Sequence, residues 1–147
     1  MPSYLTAWPS RDLIRASHQQ ITREWWENRR KHFDIHISQF VIDEASAGDV
    51  QAAADRIAIL KEFPLLDITE EVDEIATELL NRLSLPPRAA TDAAHIALAA
   101  VHEMHFLLTW NCTHIANAEM AQDIEQVCSD FGLECPVVCT PEELMGG

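Results

Sequence analysis

The stretch Thr91 to Asn117, TDAAHIALAAVHEMHFLLTWNCTHIAN, decides the fold. Its Ala-rich first half, part of a run from Ala89 to Met104, reads as a helix that lets a sheet approach closely, with Asp92 on its first turn. Phe106 to Thr109 then reads as a short buried strand. The polar cluster Trp110, Asn111, Cys112, Thr113 and His114 follows at the carboxyl end of that strand. In open α/β sheets ligands gather at such ends, so this is where a site is expected.

Working outward, strands and helices alternate along the whole chain. Ser10 reads as the N-cap of a helix through about Lys31, with Leu13, Ile14, Ile21, Trp25 and Trp26 as its apolar stripe. The two tryptophans are read as core and not as a platform for stacking bases. His32 to Ser38 reads as a strand and Gln39 to Ser46 as a short helix, which sets Glu44 just beyond the carboxyl end of that strand. Gly48-Asp49 stops one helix and caps the next, Val50 to Glu62. Leu65 to Ile68 is a short strand, and Thr69 caps the helix Glu70 to Leu83. Pro86-Pro87 sets how the helix carrying Asp92 begins. Beyond the central stretch come a helix from Asn117 to Phe131 ended by Gly132, a strand from Pro136 to Cys139, and a capping box, Thr140-Pro141-Glu142-Glu143, that opens a terminal helix through Leu144. This alternation predicts an α/β fold with a mainly parallel sheet flanked by helices.

At 147 residues, 48% hydrophobic and 23% charged, the chain is expected to be a single soluble domain, residues 1–147. No apolar run approaches the ~20 residues of a membrane span, and the N-terminus lacks the apolar core of a signal peptide. The expected location is cytoplasmic, with no membrane partner. Cys112, Cys128, Cys135 and Cys139 are then expected to be reduced, buried thiols. They lack the paired C-x-x-C spacing of a zinc site.

The net charge of −14 opposes nucleic-acid binding, which is normally driven by Lys and Arg. Its distribution softens the objection. Residues 1–31 hold six basic residues (Arg11, Arg15, Arg23, Arg29, Arg30, Lys31) against three acidic ones, a net of +3, whereas the rest holds four against 21, a net of −17. The first-turn acids Glu70, Glu71, Asp73 and Glu74 are read as a solvated face favoured by the helix dipole.

The order of residues in the central stretch, D-A-x-H-[IL]-A-x-A, a short gap, then [FY]-L-L-T-W-N-x-x-H-[IL]-A-N, resembles the C-terminal half of PIN domains. These are metal-dependent ribonucleases that include the VapC-type toxins. ISQFVIDEASAGD, Ile37 to Asp49, resembles the family's second strand and the helix after it, with Glu44 at the position of a family acid. PSYLTAWPSRDL at the start and VVCTPEELM at the end extend the likeness. The resemblance implies a three-layer α/β/α sandwich and a metal ion, magnesium or manganese, held by Glu44 and Asp92. Asn111, where many PIN domains place another Asp, would serve as a neutral oxygen ligand or a donor to bound water. It further implies an RNA substrate, a place as the toxin of a type II toxin–antitoxin pair, an antitoxin protein as partner, and a homodimer.

The chain departs from the family pattern at its start. PIN domains open with a hydrophobic strand ending in an acid followed by Ser or Thr, and MPSYLTA corresponds to the residues after that acid. The expectation is therefore a PIN-like domain truncated at its N-terminus, weak or inactive as written.

Elementary chemistry agrees with the residue types. Hydrolysing a phosphodiester needs charge neutralisation at phosphate and a water activated near neutral pH, which a hard divalent cation on carboxylates supplies. His95, three residues after Asp92 on the same helix face, could assist, although a lone His on a packed helix is more often structural. The alternative is a non-catalytic PIN-fold module that binds RNA or a protein through its basic first helix. A response-regulator pocket is disfavoured, because no strand ends in paired Asp residues followed by a distant Lys.

Overall fold

A computed structural model describes residues 5, 13–109 and 118–146. The chain divides into two compact units, residues 1–66 with 140–147, and residues 67–139.

In the first unit, helix α1 (Leu13–Asn28) is followed by a 3-10 turn, Arg30–His32. Strand β1 (Ile37–Ser38) runs directly into α2 (Gln39–Ala45), because Ser38 ends the strand and also caps the helix, its side chain accepting from Val41 N at 3.4 Å. Gly48, at φ +85°, reverses the chain, and Asp49 caps α3 (Val50–Leu60) by accepting from Ala52 N at 2.9 Å. Strand β2 (Leu65–Leu66) then pairs parallel with β1, Ile37 beside Leu65 and Ser38 beside Leu66. The core of this pair is Ile37, Ala45 and Leu60, with Val41, Ile42, Ile57 and Phe63 packed around it.

The expected strand from His32 to Ser38 shrinks to its last two residues. His32 N and Phe33 N are taken by Arg29 O and Arg30 O, at 3.0 and 3.1 Å, which holds the chain in a turn. Phe33 then packs against Trp25, ring centroids 5.6 Å apart. Phe33 thus packs on α1, while Ile37 and Ser38 reach the ladder.

The apolar stripe expected of the first helix is buried in part, Trp25 fully and Ile21 and Trp26 partly. Leu13 and Ile14 are 86% and 72% exposed, whereas Gln19, Thr22 and Trp25 are buried. These three recur every third residue, and the Thr22 hydroxyl is satisfied within the helix by donating to His18 O at 2.7 Å. Trp25 is core, as expected. Trp26 is half-buried between Phe63, edge-on at 5.7 Å, and the Arg30 guanidinium, 4.5 Å over its ring.

In the second unit, Thr69 caps α4 (Glu70–Arg82), accepting from Val72 N at 3.4 Å. A 3-10 turn, Pro87–Ala89, leads into α5 (Ala90–Val101). Strand β3 (Phe106–Leu108) is followed, beyond residues 110–117, by α6 (Ala118–Asp130) and β4 (Val137–Cys139). β3 and β4 pair parallel, with Phe106 beside Val137, Leu107 beside Val138 and Leu108 beside Cys139, joined by the crossover that parallel pairing requires.

Small residues decide the packing here. Ala93, Ala97 and Ala100 of α5 are fully buried, and α5 packs on α4, whose Val72, Ile75 and Leu79 are equally buried. The Ala-rich run therefore admits a neighbouring helix as well as strand β3. It also ends earlier than its composition suggests. Met104 N donates to Ala99 O at 2.8 Å and Glu103 N to Ala100 O at 3.2 Å, with Glu103 at φ +57°. That is a glycine-type helix stop made without glycine. His102 Nε2 lies 2.7 Å from Asp67 O and helps hold it.

Across the surface of this unit the Arg82 guanidinium ion-pairs with Asp130 and with Glu78, tying the end of α4 to the end of α6. Arg82, with the Gln126 amide, holds the Asp130 carboxyl below the usual carboxylate range. A depressed acid adds stability that is present above its unfolded pKa and is lost as pH falls through the folded one. Because the pair is exposed, that contribution is small. The readout is therefore the titration itself. Arg82→Gln should raise the Asp130 midpoint followed by the NMR shift of its carboxyl carbon, and an unmoved midpoint would exclude Arg82 as the cause.

The α/β class with parallel strands is as expected. Among the described residues the ladders join two pairs, β1 with β2 and β3 with β4, and not one continuous sheet.

Candidate nuclease site

Glu44 is the penultimate residue of α2, about 1.7 turns past the carboxyl end of β1. Its neighbour Ala45 belongs to the Ile37–Leu60 cluster, while Glu44 itself is exposed. The helix end beneath it is fixed by Arg56, which donates to Ala45 O at 3.1 Å and to Ala47 O at 2.7 Å. These bonds satisfy carbonyls that a helix terminus leaves without intrahelical partners.

Asp92 occupies the first turn of α5 and is half-buried, beside the buried Ala93 and Ala94. The Pro87–Ala89 turn directs the helix start, Ala89 N donating to Pro86 O at 2.8 Å. No side chain caps this helix, and a first-turn acid is favourable there against the helix dipole. His95 is half-buried on the same helix. Asn111 and the rest of the cluster from Trp110 to His114 lie outside the described residues.

Glu44 and Asp92 belong to different units, and each is placed by its own local frame. Both offer hard carboxylate oxygens, the donor type that suits magnesium or manganese. Among the described residues, no three His, Cys, Asp or Glu side chains gather as a metal-holding group. Glu70, Glu71, Asp73 and Glu74 are all exposed, in keeping with a solvated helix start.

Arg29, just past the end of α1, has structural work. Arg29 Nε donates to Leu144 O at 3.3 Å, and its guanidinium lies 5.9 Å from the Phe33 ring centroid. Gly146, at φ +86°, sits so close to it that a Cβ would come within 3.0 Å of Arg29 Cζ. The terminal segment is thereby held on α1, helped by the expected capping box. Glu143 N donates to Thr140 Oγ1 at 3.4 Å, and Thr140 N to Glu143 Oε1 at 3.2 Å. Sequence reasoning did not foresee this anchoring of the terminus by Arg29. No helix of the described residues is long and apolar enough to cross a membrane.

Comparison with curated proteins and comparison with solved structures each give no match. The family model described as PIN domain matches residues 12–111, a segment that contains Glu44 and Asp92 and ends on Asn111. Parallel strand pairs, a strand running straight into the helix of Glu44, and Asp92 opening a buried helix agree with that match. The chain belongs to the PIN domain family.

Proposed function

We propose that this chain is a metal-dependent ribonuclease domain in which Glu44 and Asp92 bind magnesium or manganese and Asn111 supports them. The observation that carries the reading is the family match, which takes in all three residues. When bound, such an ion neutralises charge on the scissile phosphate and supplies an activated water. The chain's own part is to present two carboxylates. The exposed Glu44 rests on a helix end fixed by Arg56, and Asp92 is set on α5 by the Pro87–Ala89 turn. Asn111 contributes a neutral oxygen or an N–H toward bound water. In this reading the substrate is RNA, and the domain acts as the toxin of a type II toxin–antitoxin pair, with an antitoxin protein as its partner and a second copy of itself as a dimer mate.

One observation favours the second reading, a non-catalytic module that binds RNA or a protein. One of the proposed set is a neutral Asn where the other two are carboxylates. The experiment is an assay of the purified chain on single-stranded RNA with magnesium or manganese, with and without EDTA. Cleavage that EDTA stops and Glu44→Gln removes supports the nuclease. RNA binding without cleavage supports the module, and cleavage indifferent to Glu44→Gln removes Glu44 from the mechanism.

A further inference from the structure

Each unit exposes a pair of large apolar side chains, and the two pairs lie in surroundings of opposite charge. In the second unit Val137 and Phe106 are register partners at the amino ends of β4 and β3, so their side chains stand side by side on one face of the ladder. They are 55% and 43% exposed, with the His105 ring edge-on to Phe106 at 6.5 Å. Two residues on, Cys139 on the same face is buried. Both strands begin three residues after an exposed acid, Glu103 before Phe106 and Glu134 before Val137. Residues 67–139 hold two basic residues, Arg82 and Arg88, against thirteen acidic ones, a net of −11 with histidine neutral. Arg82 is already engaged by Asp130 and Glu78. The field around the pair thus repels a nucleic-acid backbone and favours an apolar segment flanked by cations.

The first unit offers such a segment. The apolar stripe of α1 is closed at Trp25, half-closed at Ile21 and open two turns before Ile21, where Ile14 is 72% and Leu13 86% exposed. In sequence these two lie between Arg11 and Arg15, and residues 1–23 hold three arginines against Asp12, a net of +2.

We propose that the first turn of α1 in one copy of this chain docks on the Phe106–Val137 face of a second copy. Leu13 and Ile14 leave water against Phe106 and Val137, which drives the association, and the charges around the two pairs select which surfaces meet. Pairing like with like is disfavoured on both sides. Two ladder faces would bring two acidic units together, and two helix starts would set arginines against arginines. The contact is therefore heterologous, one surface on a different one. It uses none of the residues proposed to bind metal and does not depend on the nuclease reading.

The test is sedimentation velocity of the full chain over a range of concentrations, with Leu13→Glu, Val137→Lys and an equimolar mixture of the two variants. Both positions are exposed, and an acid in the first turn of a helix is favourable, so both variants should fold; their unfolding curves against the parent check this. The parent should associate increasingly with concentration. Each variant alone should weaken that association at least about tenfold, as loss of a central interface contact does. The mixture should recover a species of two chains, because the unaltered α1 of the Val137→Lys chain meets the unaltered face of the Leu13→Glu chain. The proposal is overturned by a parent that stays monomeric throughout or by variants that associate as the parent does. It is equally overturned if one variant abolishes association while the other leaves it intact, or if the mixture associates no better than its components.

Discussion

Asp92→Asn should lower metal-dependent cleavage of RNA by at least about a hundred-fold while leaving the unfolding curve nearly unchanged. Loss of an outer-shell partner at a metal site typically costs about 10–100-fold, and loss of a direct carboxylate ligand should cost no less. Asparagine keeps the shape and one oxygen but removes the charge that a hard cation requires. Asp92 is only half-buried, so the folded state should tolerate the change. Its favourable place in the first turn of α5 predicts a loss of stability of no more than about 1 kcal/mol. The measurement pairs turnover, across a magnesium or manganese titration, with urea unfolding. A variant that cleaves as fast as the parent removes Asp92 from the proposed site. A variant that loses activity only because it unfolds assigns Asp92 to the scaffold.

Leu79→Ala should destabilise the chain by about 2–5 kcal/mol, the range for truncating a large aliphatic side chain in a packed core. Leu79 is 1% exposed on α4, in line with the buried Val72 and Ile75, on a helix that packs against α5, whose buried residues are mainly alanines. Alanines on the facing helix cannot extend to fill the space. The residual cavity, which sets the cost within that range, should therefore be large. Against a typical total stability of about 5–15 kcal/mol this is a substantial fraction. Urea unfolding followed by circular dichroism measures it directly. A loss below about 1 kcal/mol would mean that α4 and α5 close together freely and are not locked by shape. Glu71→Ala, on the exposed side of the same helix, serves as the control and should change stability little.

The candidate site was legible in sequence only through residue order. As isolated acids, Glu44 and Asp92 are two of 24, and nothing in composition or spacing selects them. The motifs around them do, and the family match includes both. Their local settings were also readable. Ser38 ends a strand and starts a helix, which sets Glu44 past a strand end, and Pro86-Pro87 marks the turn that opens the helix of Asp92. Whether the two carboxylates serve one ion depends on contacts between distant segments, and no local pattern encodes that.

What the sequence determined by itself are features closed within a few residues. Asp49 and Thr69 cap the helices expected of them, Gly132 ends α6, and Thr140 with Glu143 forms the capping box. Each rests on a side chain or a φ angle meeting backbone one turn away, so residue identity is sufficient. The alternation of strands and helices, and with it the α/β class, follows from hydrophobic period in the same way.

Tertiary structure alone decided which surfaces are covered. Leu13 and Ile14 fit an apolar stripe yet stand exposed, while Gln19 and Thr22 are buried, because a stripe is buried only where a partner reaches it. Phe33 to His36 alternate like a strand, but the turn over Arg30–His32 and the grip of Trp25 on Phe33 withhold them from the ladder. Glu103 takes a left-handed conformation with no glycine to announce it, held by its own turn and by His102 on Asp67. In every case the deciding energy comes from groups far apart in sequence or from the path of the chain between them, and a local pattern carries neither.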